Sequence, residues 1–217
     1  MNYKLNVVLS FSILIAGVIA AVRFRRISRV YTPFILLIWL GSFNEVYSAL
    51  VIKEGNSNAV NFNLYSLFEF LILAWQFQKW KLWGRNRYVF PVLAGAALLF
   101  WLVENFVLFS IHSFNSYFVM TFSYLLVLMS IRMINILVVR ESGSLMKNAS
   151  FLICLGLVGY FTYSVLVEAF WVYGLSESYV FVDRIYAILV FVNLFVNLIY
   201  ALAILWIPTR PTFILPS

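Results

Sequence analysis

Apolar and polar residues follow one another along this chain in long blocks, not residue by residue. Seven apolar stretches stand out, at about Leu5–Val22, Pro33–Ile52, Ala59–Phe77, Val89–Ser110, Tyr117–Val139, Ala149–Tyr173 and Tyr179–Trp206. A helix crosses the hydrocarbon layer of a bilayer in roughly 20 residues. The pattern therefore predicts an all-α, polytopic membrane protein, a single bundle of seven transmembrane helices joined by short links.

Composition agrees. The chain is 64% hydrophobic and 11% charged, whereas soluble domains carry about 25% charged residues. So much apolar side chain exceeds what one soluble core can bury, and some of it must face the lipid bilayer. No segment of the 217 residues remains for a separate soluble domain.

The formal charge of +7 would suit nucleic acid if it formed a patch or groove. Instead the basic residues sit in short runs between apolar stretches, which excludes nucleic acid and predicts cytoplasmic loops against anionic headgroups. Links one–two, three–four and five–six plus the tail carry eleven Lys and Arg, and the opposite links carry Lys4 and Lys53. This asymmetry predicts an N-terminus outside and a C-terminus inside, in a multi-pass protein of a bacterial inner (plasma) membrane. A cleaved signal peptide would carry its positive charge ahead of the apolar run. Here one Lys precedes the first stretch, and Arg23, Arg25, Arg26 and Arg29 follow it, so that stretch is expected to remain as a helix.

The polar residues inside the stretches are the informative ones. Glu45, Glu69, Glu104, Glu168 and Asp183 make up five of the eight acids. An ionisable group in hydrocarbon costs at least ~2.5 kcal/mol on insertion scales, so it is expected to face the bundle interior or a wet cavity. Glu45, Glu104, Glu168, Asp183 and Arg184 all fall toward the outer side of their spans. Asn44, Asn61, Asn63 and Asn105 lie at similar depth, Glu69 lies near the midplane, and Arg132 lies in the inner half of span five.

Helical spacing groups these residues into stripes near a period of 3.6. Span three gives Asn61, Tyr65, Glu69 and Gln76. Span five gives Tyr117, Thr121, Tyr124, Arg132 and Asn135. Span six gives Tyr160, Ser164 and Glu168, and span seven gives Asp183, Tyr186, Asn193, Asn197 and Tyr200. Four stripes predict four helices turned toward a shared polar interior. The bland role for Asn193, Asn197, Ser164 and Tyr200 is helix adhesion, worth about 0.6 kcal/mol per hydrogen bond. Spans three, five and seven also open on a Tyr followed four residues later by a polar group: Tyr65 with Glu69, Tyr117 with Thr121, Tyr179 with Asp183. That reads as a weak repeat of three hairpins.

Cations to match the acids are scarce, because Arg132 and Arg184 alone lie within spans. Most of the acids must therefore be hydrated, hydrogen-bonded or protonated. An outer cavity with surplus carboxylates suits a small cationic or amine ligand, or a proton.

Several chemistries are excluded. A zinc site needs three or four ligands, and His112 is the one histidine. Cys154 stands alone and permits no internal disulfide. No phosphate loop or dinucleotide fingerprint appears, span seven lacks a lysine for a retinal Schiff base, and no metal or cofactor is expected. The sequon at Asn148 falls on the cytoplasmic side in this topology. In topology alone the arrangement resembles the seven-helix sensor regions that precede bacterial signalling kinases. The tripeptide that G-protein-coupled receptors carry at the end of span three is replaced by Gln78, Lys79 and Trp80.

The sequence thus predicts a non-enzymatic sensor or ligand-binding module. It would have an outward-facing polar pocket and signal through a separate cytoplasmic protein. A small proton- or cation-coupled transporter, an accessory subunit and an intramembrane enzyme are the alternatives. The site residues expected to bind ligand or protons are Glu45, Glu69, Glu104, Glu168, Asp183, Arg184, Arg132, Asn44, Asn61, Asn105, Asn193 and Asn197.

Overall fold

The computed structural model describes residues 9–140, 143–173 and 179–209, with backbone alone for 179–184 and 186. Among the described residues the chain forms seven α-helices and no strand. They are α1 (Ile13–Arg23), α2 (Thr32–Lys53), α3 (Ala59–Lys79), α4 (Val89–Val103), α5 (Ser116–Arg140), α6 (Ala149–Val172) and α7 (Tyr179–Trp206). A π-helical segment, Glu104–Leu108, continues α4, and 3-10 turns at Arg29–Tyr31 and Leu145–Lys147 lead into α2 and α6.

The chain chemistry explains these bounds. Pro33 sits in the first turn of α2, where its missing N–H costs nothing and its fixed φ suits a helix start. Asn148 caps α6, its Oδ1 accepting from the Phe151 N–H at 3.0 Å. Arg23 at the end of α1 donates to the carbonyl oxygens of Ile204 (2.6 Å) and Ile207 (3.4 Å). It thereby satisfies acceptors at the C-terminus of α7, where a cation also complements the helix dipole.

Five helices are long and apolar enough to cross a membrane: α2 with its leading turn, α4 with its π segment, α5, α6 and the Ala187–Trp206 part of α7. The other two differ from the seven-span expectation. Helix α1 has 11 residues, and the expected start of that span at Leu5 lies outside the described residues. Helix α3 has 21 residues, but Asn61, Asn63, Ser66, Glu69, Gln76 and Gln78 lower its hydropathy. Its polarity is tolerated because neighbouring helices cover it. Asn63 and Gln76 are buried, and Gln76 accepts from the Phe34 N–H (2.9 Å) and donates to the Val30 carbonyl (3.0 Å).

Six helices close a ring. Helix α1 packs on α2 and α7, α7 on α6, α6 on α5, α5 on α3, and α3 on α2. Helix α4 lies outside the ring, packed mainly on α3. At the end of the ring that carries the Arg- and Lys-rich links, the interior is solid: Phe34, Ile35, Leu73, Phe77, Ile153 and Ile204 are buried there. Outside, large apolar side chains stay exposed along the helices, Val92 at 67%, Val139 at 85% and Phe195 at 65% among them. Exposed apolar surface this extensive marks a chain that meets lipid.

Candidate functional site

The opposite half of the ring is hollow. A cavity of about 290 Å³ is lined by side chains from α1, α2, α3, α5, α6 and α7. It extends from Ser48, near the end of α2, and Asn58, at the start of α3, down to Glu69, Leu157 and Tyr200 near mid-bundle. Two glycines make room for the aromatic rings of its wall. A Cβ on Gly41 would stand 2.6 Å from Ile13 Cδ1 and 3.3 Å from the Tyr65 hydroxyl. A Cβ on Gly156 would stand 2.6 Å from Tyr200 Cε1. Tyr200 can therefore lie flush against α6, with Phe34 edge-on beneath it at 5.2 Å between centroids.

Two carboxylates share this space. Glu69 accepts from the Tyr65 hydroxyl at 3.2 Å, one helical turn away on α3. Glu45, on α2, makes no hydrogen bond or ion pair with the described residues. The hydroxyls of Tyr160 and Tyr200 line the same cavity, and they too have no hydrogen-bond partner among the described residues. Glu45, Tyr160 and Tyr200 thus line one cavity without a hydrogen-bond partner among the described residues. No described Lys, Arg or His lines it.

Asparagines frame the two sides. At the mouth, Asn61 Nδ2 lies within hydrogen-bond distance of Asn44 Oδ1 (2.8 Å), Ser48 Oγ (3.0 Å) and Asn58 Oδ1 (3.1 Å). Asn58 Nδ2 also donates to Ser48 Oγ at 3.0 Å. This mesh ties α2 to α3 across the link. Opposite, Asn197 donates to Ser12 Oγ (2.9 Å) and toward Asn193 Oδ1 (3.4 Å), which fixes α7 against the segment leading into α1.

The structure thus brings together Glu45, Glu69, Asn44, Asn193 and Asn197 on the cavity wall, with Asn61 just behind it. Other expected site residues lie elsewhere. Glu104 is buried, and its two oxygens accept from the Tyr117 and Phe118 N–H groups, each at 2.8 Å. It caps α5 from a distance, an anion against unpaired donors and a positive helix end. Asn105 donates to the Trp101 carbonyl (2.9 Å) and accepts from Asn115 Nδ2 (2.9 Å). Asn63 holds the same turn, donating to the Ile111 (3.1 Å) and Ser113 (2.7 Å) carbonyls. Glu168 reaches the Ser116 side chain at the start of α5. The side chains of Asp183 and Arg184 lie outside the described residues.

The α5 stripe is a correction. Thr121, Tyr124, Arg132 and Asn135 are exposed on the outside of the ring, and Tyr117 is 42% exposed. Phe118, Phe122, Leu126, Met129 and Met133 fill the inward face instead. Both faces of α5 repeat at the helical period, so periodicity alone could not say which one turned inward. The three-hairpin repeat also lacks a common geometry, since Tyr65 bonds Glu69 inside the bundle while Tyr117 and Thr121 face out.

Sequence reasoning missed Asn58, at the start of α3, and Ser48, in the last turns of α2, and the wall-forming roles of Gly41 and Gly156. Tyr65, Tyr160, Ser164 and Tyr200 stood in the stripes but not among the expected site residues. Their shared position on stripes with Glu69 and Asn197 was the available signal. The chain matches no protein family, no curated protein and no solved structure.

Proposed function

We propose that this chain is a membrane sensor or ligand-binding module whose cavity takes a small cation, best an organic amine. The observation that carries this reading is the pairing of Glu45 and Glu69 with three tyrosines in one cavity that no described cation enters. An ammonium group offers three donors and no acceptor. Carboxylate and phenol oxygens accept those donors, and tyrosine faces attract the charge.

The same geometry favours sensing over passage. Below Tyr200 the ring is packed solid by Phe34, Leu73, Phe77, Ile153 and Ile204, so a ligand enters and leaves by one mouth. In the proposed orientation that mouth faces outward, the N-terminus is outside, and the basic links lie against the cytoplasmic leaflet of a bacterial inner membrane. Signal then travels along rigid helices. Glu45 and Glu69 on α2 and α3 are drawn toward Tyr160 and Tyr200 on α6 and α7. The far ends of those helices meet at the basic face, where Arg23 holds the end of α7 and Tyr31 meets Ser150 at 2.8 Å. A ligand shifts the bundle only by its differential affinity for two arrangements, and a separate cytoplasmic protein would read that change.

A thermal-shift series on purified protein tests this, with primary amines, quaternary ammonium ions and carboxylates of similar size. Amines should raise the midpoint, carboxylates should not, and Glu45→Gln should remove the response. Amine uptake into sealed proteoliposomes at a rate set by the protein would replace the sensor with a transporter.

A further inference from the structure

The outward stripe of α5 lies at membrane depth. Thr121, Tyr124, Arg132 and Asn135 fall at steps of three, eight and three, so they share one helix face. Tyr124 is 58% exposed, and lipid-facing Leu128 (46%), Ile131 (42%) and Val138 (51%) flank the row. Among the described residues Arg132 makes no hydrogen bond or ion pair. It stands eight residues before Arg140, roughly 12 Å along the axis at 1.5 Å per residue. Its Cα–Cβ bond tilts toward the helix N-terminus, away from that nearer end, so its geometry works against reaching the headgroups. A guanidinium so placed is costly in hydrocarbon and is normally paired.

Among the described residues no carboxylate lies on the outer surface at the depth of Arg132. Glu45 and Glu69 line the cavity, Glu104 caps α5, Glu168 contacts Ser116, and Glu54 lies in the link at the far end of α2. A second copy meeting this face would therefore set Arg132 against a surface without a described carboxylate. We propose that the Thr121–Tyr124–Arg132–Asn135 face of α5 docks a transmembrane helix of another protein, one that carries an Asp or Glu at the depth of Arg132. The Arg–carboxylate pair would be bidentate and charge-assisted, with Tyr124, Thr121 and Asn135 supplying hydrogen bonds beside it. This inference does not depend on the cavity's ligand.

The test uses the full chain, donor-labelled, in phosphatidylcholine vesicles. The acceptor is a synthetic Leu/Ala helix of transmembrane length with a single Asp set at the depth of Arg132. Energy transfer should be saturable for the Asp helix and fall at least tenfold in apparent affinity for the same helix with Leu in place of Asp. Arg132→Leu, which removes a charge from lipid and should insert at least as well, should abolish the difference between the two helices. Tyr124→Leu should weaken binding without abolishing it. Equal transfer with both helices, or a preference for Asp that survives Arg132→Leu, would overturn the proposal. Efficient disulfide cross-linking between copies bearing Asn135→Cys would overturn it in favour of self-association. Loss of Asp-helix binding when phosphatidylglycerol is added would assign the face to anionic lipid instead.

Discussion

A Cβ added to Gly156 would stand 2.6 Å from Cε1 of Tyr200, so the absence of a side chain on α6 sets how far a ring of α7 recedes from the cavity. Gly156→Ala should push Tyr200 off α6 and into the space between Glu69 and Tyr160. Overpacking of this kind costs about 1–3 kcal/mol. The expected outcome is a lower melting midpoint in detergent and weaker amine binding together. Gly95, inside α4 with open space beside it, gives the control: Gly95→Ala should leave amine binding unchanged and should not lower the midpoint, since Ala favours a helix interior over Gly.

Glu104 is expected to matter for stability and not for ligand. Its carboxylate accepts two backbone N–H groups at the start of α5, and hydrogen bonds to a charged group contribute about 1.5–3 kcal/mol each. Glu104→Ala should destabilise by about 3–6 kcal/mol, the sum of the two bonds, read as a fall in the unfolding midpoint. Glu104→Gln keeps one acceptor and should lose less. Amine affinity, measured below the midpoint, should be the same for both variants and the parent.

Gln76 ties α3 to the turn that leads into α2. It satisfies the Phe34 N–H and the Val30 carbonyl at the turn into α2. Gln76→Leu leaves both backbone groups buried without partners, at about 1–3 kcal/mol apiece. Hydrogen exchange should show faster opening of residues 30–35, while the mouth of the cavity at Asn58 and Asn61 keeps its protection.

Sidedness has its own check. In a cysteine-free background made with Cys154→Ser, Ser48→Cys should react with a membrane-impermeant maleimide added outside intact cells. Lys81→Cys should react only after the cells are opened. The reverse pattern would invert the proposed orientation.

Much of the architecture could be read from the chain, because the bilayer imposes a length and a hydropathy that a sequence displays directly. What could not be read was rotation about each helix axis. In α3, α6 and α7 the polar stripe faced the bundle, since Tyr65, Glu69, Tyr160, Asn193 and Asn197 found a shared cavity. In α5 it faced out, because Phe118, Phe122 and Leu126 pack against Phe70 and the helices beside it. The acids split for a similar reason. Glu45 and Glu69 lie on neighbouring helices, on faces that line one cavity, whereas Glu104 opens the π segment and accepts from the unpaired N–H groups of the next helix. Distance along the chain carries no trace of that contact.

Isothermal titration of the 217-residue chain in nanodiscs with propylamine reads cation binding in the cavity. The parent should bind saturably. Glu45→Gln and Glu69→Gln should each lose at least tenfold, about 1.4 kcal/mol, and Glu104→Gln should lose nothing. Affinity unchanged in both cavity variants would contradict the assignment of the cavity as a cation site.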